Sequence, residues 1–386
     1  MKTHALASAV VLSALGFAAA STIGHGQAPA APQTPAVAPL ADLKVPAGFT
    51  LSVFASDLAG ARYMTVSPEG VLLVARRPRG EVVALLDKGK HGNAEPEVIL
   101  SNLANAHSLA FNDGYLYIAT TPAVMRVKWA NGKPVGEPEK FADLPTSTPS
   151  LHVTRTIRFG PDGRLYVSIG SSCNACVESD PRRTTIQVVS ADGTMQPYAR
   201  GLHNALGFDW DQQSGRMWAD ETGPEGLGDD FPPDEINLIE PGKHYGFPFF
   251  VGANTPTTAL PEMKDIAPTV TTDAVVAPAL ELPAHITGMD MRFYTGTQFP
   301  AAYRNALFLT LHGAGTLAAP KKIGYKIVRV VMKDGRPSGF EDFVTGWLKD
   351  GVVSGRPAGL AIGADGALYV SDDNKGFIYR IAYGGK

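Results

Sequence analysis

Cysteine, charge and long apolar runs are all scarce in this chain. Two cysteines among 386 residues cannot staple a fold of this size, so stability must come from an ordinary buried core. Charged side chains make up only 18% of the sequence and nearly cancel, 34 Lys and Arg against 37 Asp and Glu, for a formal net charge of −3. A nucleic-acid binder would carry a basic excess or a basic stripe, and neither is present. Beyond the N-terminus no stretch is long and apolar enough to cross a bilayer. What is plentiful is Gly (41), Pro (30) and apolar residues (44%). That balance suits a globular fold of many short strands joined by turns.

The N-terminus is set apart by composition. Lys2 and His4 precede an uncharged run from Ala5 to Ala20 that ends in small residues. A basic start, a short apolar stretch and a small-residue end describe a secretory signal, expected over 1–20. Residues 21–42 are Ala/Pro-rich and read as an extended linker, leaving 43–386 for the folded domain. The expected location is periplasmic or secreted, with membrane attachment only through an uncleaved N-terminus.

The domain announces itself by repetition. Apolar alternation, a Gly turn and a second apolar run occur at Met64–Val74, Leu109–Ile118, Ile157–Val167, Leu206–Trp218 and Leu360–Val370. A degenerate copy lies at Met291-Arg292-Phe293 and Asn305–Leu309. Each unit reads as a hairpin, because glycine supplies the positive backbone angle a tight turn demands. The turn glycines 70, 114, 163 and 215 recur about every 45 to 50 residues, the length of one four-stranded propeller blade. Six units predict an all-β, six-bladed β-propeller with long loops between Gly223 and Gly288. Such a fold is silent about chemistry, which must be argued from a site.

Three clusters could carry that chemistry. His152 sits where the loop Pro145–Ser150 enters a blade strand, although a lone histidine equally suits a surface or a satisfied core position. His203-Asn204 precedes the next blade strand. Asparagine both donates and accepts, as a planar polar cofactor would require, and it also caps turns. The acidic stretch Asp220–Asn237, broken by Gly223-Pro224, offers carboxylates and free carbonyls, hard oxygen ligands suited to calcium or simply a solvated loop. Its spacing is not that of an EF-hand. Cys173 and Cys176 form a C-x-x-C followed by Val177, which excludes the usual covalent haem attachment, and no second pair completes a zinc site. In an exported chain the expected state is a local disulfide.

Taken in order, these motifs resemble the soluble PQQ-dependent glucose and aldose sugar dehydrogenases, and within them the L-sorbosone dehydrogenase-like branch. The resemblance spans about Leu43 to Tyr383. Its most specific part runs from His152-x-x-Arg155 and Phe159-Gly160-Pro161-Asp162-Gly163 through Gly201-Leu202-His203-Asn204 and Gly223-Pro224 to Asp234-Glu235-Ile236-Asn237 and Tyr245-Gly246-Phe247-Pro248. It implies pyrroloquinoline quinone (PQQ) over the channel mouth with Ca2+ beneath it. By position His152 matches the catalytic base, the carbonyls of Gly223 and Pro224 match the calcium ligands, and Asn204 and Arg356 match cofactor contacts. At three other cofactor positions the family's Arg, Lys and Gln are replaced by His203, His312 and His107, and the carboxylate that orients the base is replaced by Ser171. Four imidazoles, His107, His152, His203 and His312, at one mouth would also permit a transition-metal site.

The expected activity is oxidation of an aldose or an aldehyde sugar of the sorbosone type by hydride transfer to the quinone. The partners are then a small sugar and an external electron acceptor, with no nucleic acid. Two rivals follow from the same residues: a calcium-dependent propeller lactonase or other hydrolase, and a non-catalytic carbohydrate- or protein-binding propeller.

Overall fold

The computed structural model describes residues 40–89, 91–146, 151–313 and 322–384; the expected signal and residues 21–39 of the linker lie outside them. Among the described residues there are strands and three short 3-10 turns but no α-helix. Six four-stranded antiparallel sheets form the six blades of a β-propeller. Blade 1 is Ala61–Val66, Leu72–Arg76, Glu81–Leu86 and Glu95–Leu100. Blade 2 is Ser108–Asn112, Tyr115–Ala119, Ala123–Ala130 and Lys133–Asp143, and blade 3 is Arg155–Phe159, Leu165–Ile169, Thr185–Val189 and Met195–Arg200. Blade 4 takes Phe208–Trp210, Met217–Glu221, Pro233–Ile239 and Leu280–Ala284, while blade 5 takes Gly288–Phe293, Leu307–Leu311, Lys326–Lys333 and Arg336–Val344. Blade 6 is Pro357–Ile362, Leu368–Asp372 and Phe377–Tyr383, completed by Phe49–Ala55 from the start of the domain. That last pairing ties the first strand to the final one, so no blade is left with its hydrogen-bonding edge one strand short.

Each sequence repeat is the first hairpin of one blade. Glycines 70, 114, 163, 215 and 366 all adopt positive φ, from +69° to +86°, where a Cβ would strain the backbone. The stretch between Gly223 and Gly288 is not all loop, however. It holds the third and fourth strands of blade 4, and the insertion narrows to residues 240–279.

The core is divided among the blade interfaces. Leu73, Leu116 and Trp129 join blades 1 and 2; Tyr117, Ile157 and Val167 join 2 and 3; Tyr166, Phe208 and Trp210 join 3 and 4. Trp218, Met291 and Leu309 link blades 4 and 5, Phe308, Tyr379 and Leu360 link 5 and 6, and Tyr369 packs with Met64 and Val74 between 6 and 1. Burying a large apolar side chain contributes about 1.5–3 kcal/mol, so every seam adds to the stability of the ring.

The central channel is filled. The buried Arg158 of blade 3 reaches the buried Asp290 of blade 5, and Asp290 Oδ2 accepts the Leu360 N–H of blade 6 at 2.8 Å. Tyr63 Oη lies 2.6 Å from the Met289 carbonyl and 3.3 Å from that of Leu206. Toward one face every inner strand begins where its neighbouring second strand ends, as the pairs Ala61 with Arg76, Ser108 with Ala119, Arg155 with Ile169, Gly288 with Leu311 and Pro357 with Asp372 show. Antiparallel pairing alone therefore brings the segments around 107, 152, 171, 203, 223, 312 and 356 to the same mouth.

Candidate active site

Two arcs of polar residues line that mouth. In the arc of blades 3 and 4, His152 Nδ1 stands 3.0 Å from the Ser171 carbonyl. A carbonyl only accepts, so Nδ1 carries the proton and Nε2 keeps its lone pair. His203 repeats the device, with Nδ1 2.6 Å from the Thr222 carbonyl. The two rings meet edge to face with centroids 4.6 Å apart, and the buried His203 Nε2 lacks a well-aligned partner. Asn204 is buried beside them, and its carbonyl accepts the Thr222 N–H at 3.4 Å. Glycine is required at 170, because a Cβ there would approach Asn204 Oδ1 to 2.5 Å and His152 Cβ to 2.9 Å.

The same arc carries the Gly223-Pro224 loop. Asp234 Oδ1 accepts the Gly223 N–H at 3.4 Å and its Oδ2 accepts the Thr287 N–H at 2.7 Å. The carbonyls of Gly223 and Pro224 accept no hydrogen bond from any described residue. The segment beside it contains Cys173 and Cys176, which are joined as a disulfide. Ser171 Oγ donates to the Cys173 carbonyl, so the serine side chain serves the disulfide loop while its main chain serves His152.

In the arc of blades 5, 6 and 1, His312 Nε2 is 2.9 Å from Asp373 Oδ1, and Arg62 Nε is 3.0 Å from Asp373 Oδ2. Arg62 also reaches Met289 Sδ at 3.6 Å, at the centre of the channel. Arg356 donates from Nε to the His312 carbonyl (3.2 Å) and from Nη2 to the Gly313 carbonyl (3.1 Å), with its guanidinium 5.9 Å over the Tyr325 ring.

Burial sets the protonation of these groups. His152 is pushed down to about 3 by desolvation, then by the neighbouring His203, Arg155 and Arg183. Desolvation likewise takes His203 down to about 4. His312 is also lowered, because loss of water outweighs the pull of Asp373, while Asp373 itself is held at about 2 by His312 and Arg62 against the opposing effect of burial. The arc thus holds a neutral His312 donating to an ionised Asp373. Under the Gly223 loop, desolvation raises Glu221 and Asp234 well above the carboxylate range and Glu235 to about 7.

The expected site residues do not all sit as anticipated. His107 is wholly buried, and desolvation, aided by the positive charges of Arg62, Arg77 and Arg155, holds it well below the usual imidazole range; it is not open to the mouth. The four histidines do not assemble a metal centre. Among the described residues the one group of three potential ligands within reach of a single ion is Cys173, Cys176 and Glu178, and its sulfurs are bonded to each other. The carboxylate missing at position 171 is replaced by the Ser171 main-chain carbonyl, which fixes the His152 tautomer. Arg62 and Asp373 escaped the sequence reading. The repeat register does expose Arg62, since Arg62, His107 and Arg155 each lie two residues before the equivalent positions Met64, Leu109 and Ile157.

Fold and mouth together define a six-bladed propeller whose channel entrance combines neutral imidazoles, free main-chain carbonyls and guanidinium groups. Residues 43–384 match the TrAA12-like family, and the chain belongs to it. An uncharacterized protein of Borreliella burgdorferi is 28% identical over 361 residues, 88% of this chain and 91% of its own length. The fold is shared with the holo form of the PQQ domain of a pyranose dehydrogenase from Coprinopsis cinerea (TM-score 0.73, 19% identity, 88% of this chain and 97% of that one). It is also shared with a calcium structure of a Trichoderma reesei carbohydrate-active enzyme of family AA12 (TM-score 0.73, 21% identity, 91% and 98%).

Proposed function

We propose that this protein is an exported PQQ- and calcium-dependent oxidoreductase that oxidises an aldose or an aldehyde sugar of the sorbosone type. The observation that carries the reading is a chain of contacts: the His152 ring against the His203 ring, and His203 Nδ1 on the Thr222 carbonyl, one residue before Gly223. A neutral imidazole base and two adjacent main-chain carbonyls thereby share one entrance. The family membership and the solved relatives named for a PQQ domain and for calcium support it.

The residues present fit both groups. Two adjacent free carbonyls are hard oxygen donors for a calcium ion, and the buried carboxyls of Glu221 and Asp234 lie under their loop. Arg62, paired with Asp373, and Arg356, bonded to the His312 carbonyl, are the guanidinium groups that would pair with the carboxylates of a quinone. Asn204, packed against Gly170, and the buried His203 next to it in the chain would bound its edge. Bound PQQ would supply the two-electron acceptor, and calcium the Lewis acid that polarises it.

The work of the chain itself is proton management. The role of His152 Nε2 would be to take the hydroxyl proton of the sugar. The Ser171 carbonyl keeps the accepting nitrogen unprotonated beforehand and stabilises the imidazolium afterwards, because Nδ1–H donates to it in both states. Export rests on the sequence of residues 1–20, and the electron acceptor is external because no haem attachment motif is present.

Purified protein should be loaded with calcium and PQQ and assayed for dye reduction against a panel of sugars. Sugar-dependent reduction that is lost in His152→Ala supports the proposal. Lactone hydrolysis without quinone would replace it by a hydrolase, and saturable sugar binding without turnover would replace it by a binding propeller.

A further inference from the structure

The segment between the two cysteines does more than close a small ring. Asn174 reaches from blade 3 to the loop of blade 4 with both halves of its amide. Its Oδ1 accepts the Glu225 N–H at 2.8 Å, and its Nδ2 donates to the Glu225 carbonyl at 2.9 Å. The Glu225 N–H belongs to the same planar peptide unit as the Pro224 carbonyl, and in a trans peptide the two point in opposite directions. Holding that N–H on Asn174 therefore aims the Pro224 carbonyl away from Asn174. Proline fixes its own φ, so ψ of Pro224 is left to set the orientation of this peptide plane.

The rest of the segment is pinned in turn. Cys173 and Cys176 are bonded across Asn174 and Ala175, and the Ser172 hydroxyl donates to Glu178 at 2.7 Å. On the far side of the acidic loop, His285 Nε2 lies 2.8 Å from the Gly228 carbonyl and its Nδ1 3.4 Å from Glu225 Oε2. The loop is thus held at both ends, and among the described residues Asn174 alone grips the Glu225 main chain next to Pro224.

We infer that Asn174, held in place by the Cys173–Cys176 disulfide, is the positioning residue that aims the Pro224 carbonyl at its cation. This rests on the reading that Gly223 and Pro224 bind calcium. Asparagine is the side chain the geometry demands, since aspartate keeps the acceptor but sets a carboxylate oxygen against the Glu225 carbonyl. The disulfide joins the two halves of the site, because the same short segment supplies the Ser171 carbonyl to His152.

The test is calcium titration by calorimetry, without quinone, on wild type, Asn174→Ala, Asn174→Asp and the double variant Cys173→Ser/Cys176→Ser. It is paired with amide exchange of residues 222–226 in the calcium-free proteins. Asn174→Ala should weaken calcium about tenfold, equivalent to about 1.4 kcal/mol, and exchange at Glu225 should quicken. Asn174→Asp should be weakened less than Asn174→Ala, and the cysteine variant should move in the same direction. A calcium Kd and Glu225 protection that both stay at wild-type values in Asn174→Ala overturn the inference. A wild type that takes up no calcium refutes the cation reading instead, and the positioning claim then stands or falls on the exchange at Glu225 alone.

Discussion

Lowering the pH from 7 to 5 should leave kcat/KM of the PQQ- and calcium-loaded enzyme within about twofold of its value. The argument begins at His152. An imidazole with the ordinary value of about 6.5 is only about 3% neutral at pH 5, so a base of that kind would slow the reaction roughly 25-fold between these two pH values. Desolvation and the neighbouring His203, Arg155 and Arg183 instead bring His152 down to about 3, which leaves it almost wholly neutral at pH 5. The perturbation is then the pH itself, and the assay is steady-state sugar oxidation at subsaturating sugar with a dye whose response is calibrated at each pH. An imidazole 15N titration of His152 gives an independent readout. An acid limb centred near pH 6.5 in kcat/KM, matched by protonation of His152 in the spectrum, would refute the reasoning.

Three further outcomes follow from the same geometry. Asp290→Ala leaves the buried Arg158 without its carboxylate, and urea denaturation should show a loss of about 3–5 kcal/mol; a loss below 1 kcal/mol would contradict the channel ion pair as a buried one. The buried neutral His152 contributes stability that is fully present above pH 6.5 and is lost as the pH falls toward its folded value of about 3, since the unfolded chain takes up the proton first. The stability of His152→Gln relative to wild type should therefore improve by about 2 kcal/mol between pH 7 and pH 5, and a difference independent of pH would refute this. Arg356→Ala should weaken PQQ uptake, measured by absorbance titration, more than it lowers the melting temperature. An unchanged PQQ dissociation constant would remove Arg356 from the site.

How much of this could be read in the sequence depends on whether a feature lives in side chains or in the main chain. Five blades declared themselves because their hairpins need glycine at a positive φ. Blade 5 was blurred because Asn305 takes the left-handed position at φ +57°, which asparagine tolerates. It was blurred further because the aromatic turn around Phe299 and Tyr303 lengthens the hairpin. Blade 4 hid its outer strand, Leu280–Ala284, behind the insertion at 240–279.

The site divides in the same way. His152, His203, Asn204 and the Gly223-Pro224 loop stood out as residue types at strand entrances. The Ser171 carbonyl did not, because every residue has one and only register places it under an imidazole. The pairing of Arg62 with Asp373 joins the first blade to the sixth, so nothing short of ring closure could bring them together. His107 occupied the expected register yet proved wholly buried, which a pattern of strand ends cannot distinguish from an open rim.

The shared occupancy of one entrance by quinone and cation is most directly tested by their mutual influence on binding. PQQ should be titrated into the protein with and without calcium, and calcium with and without PQQ. A common site requires each to tighten the other by the same factor, and His152→Ala should leave that factor in place while abolishing turnover. Two affinities that do not depend on one another would show that the Gly223-Pro224 carbonyls and the quinone belong to separate sites.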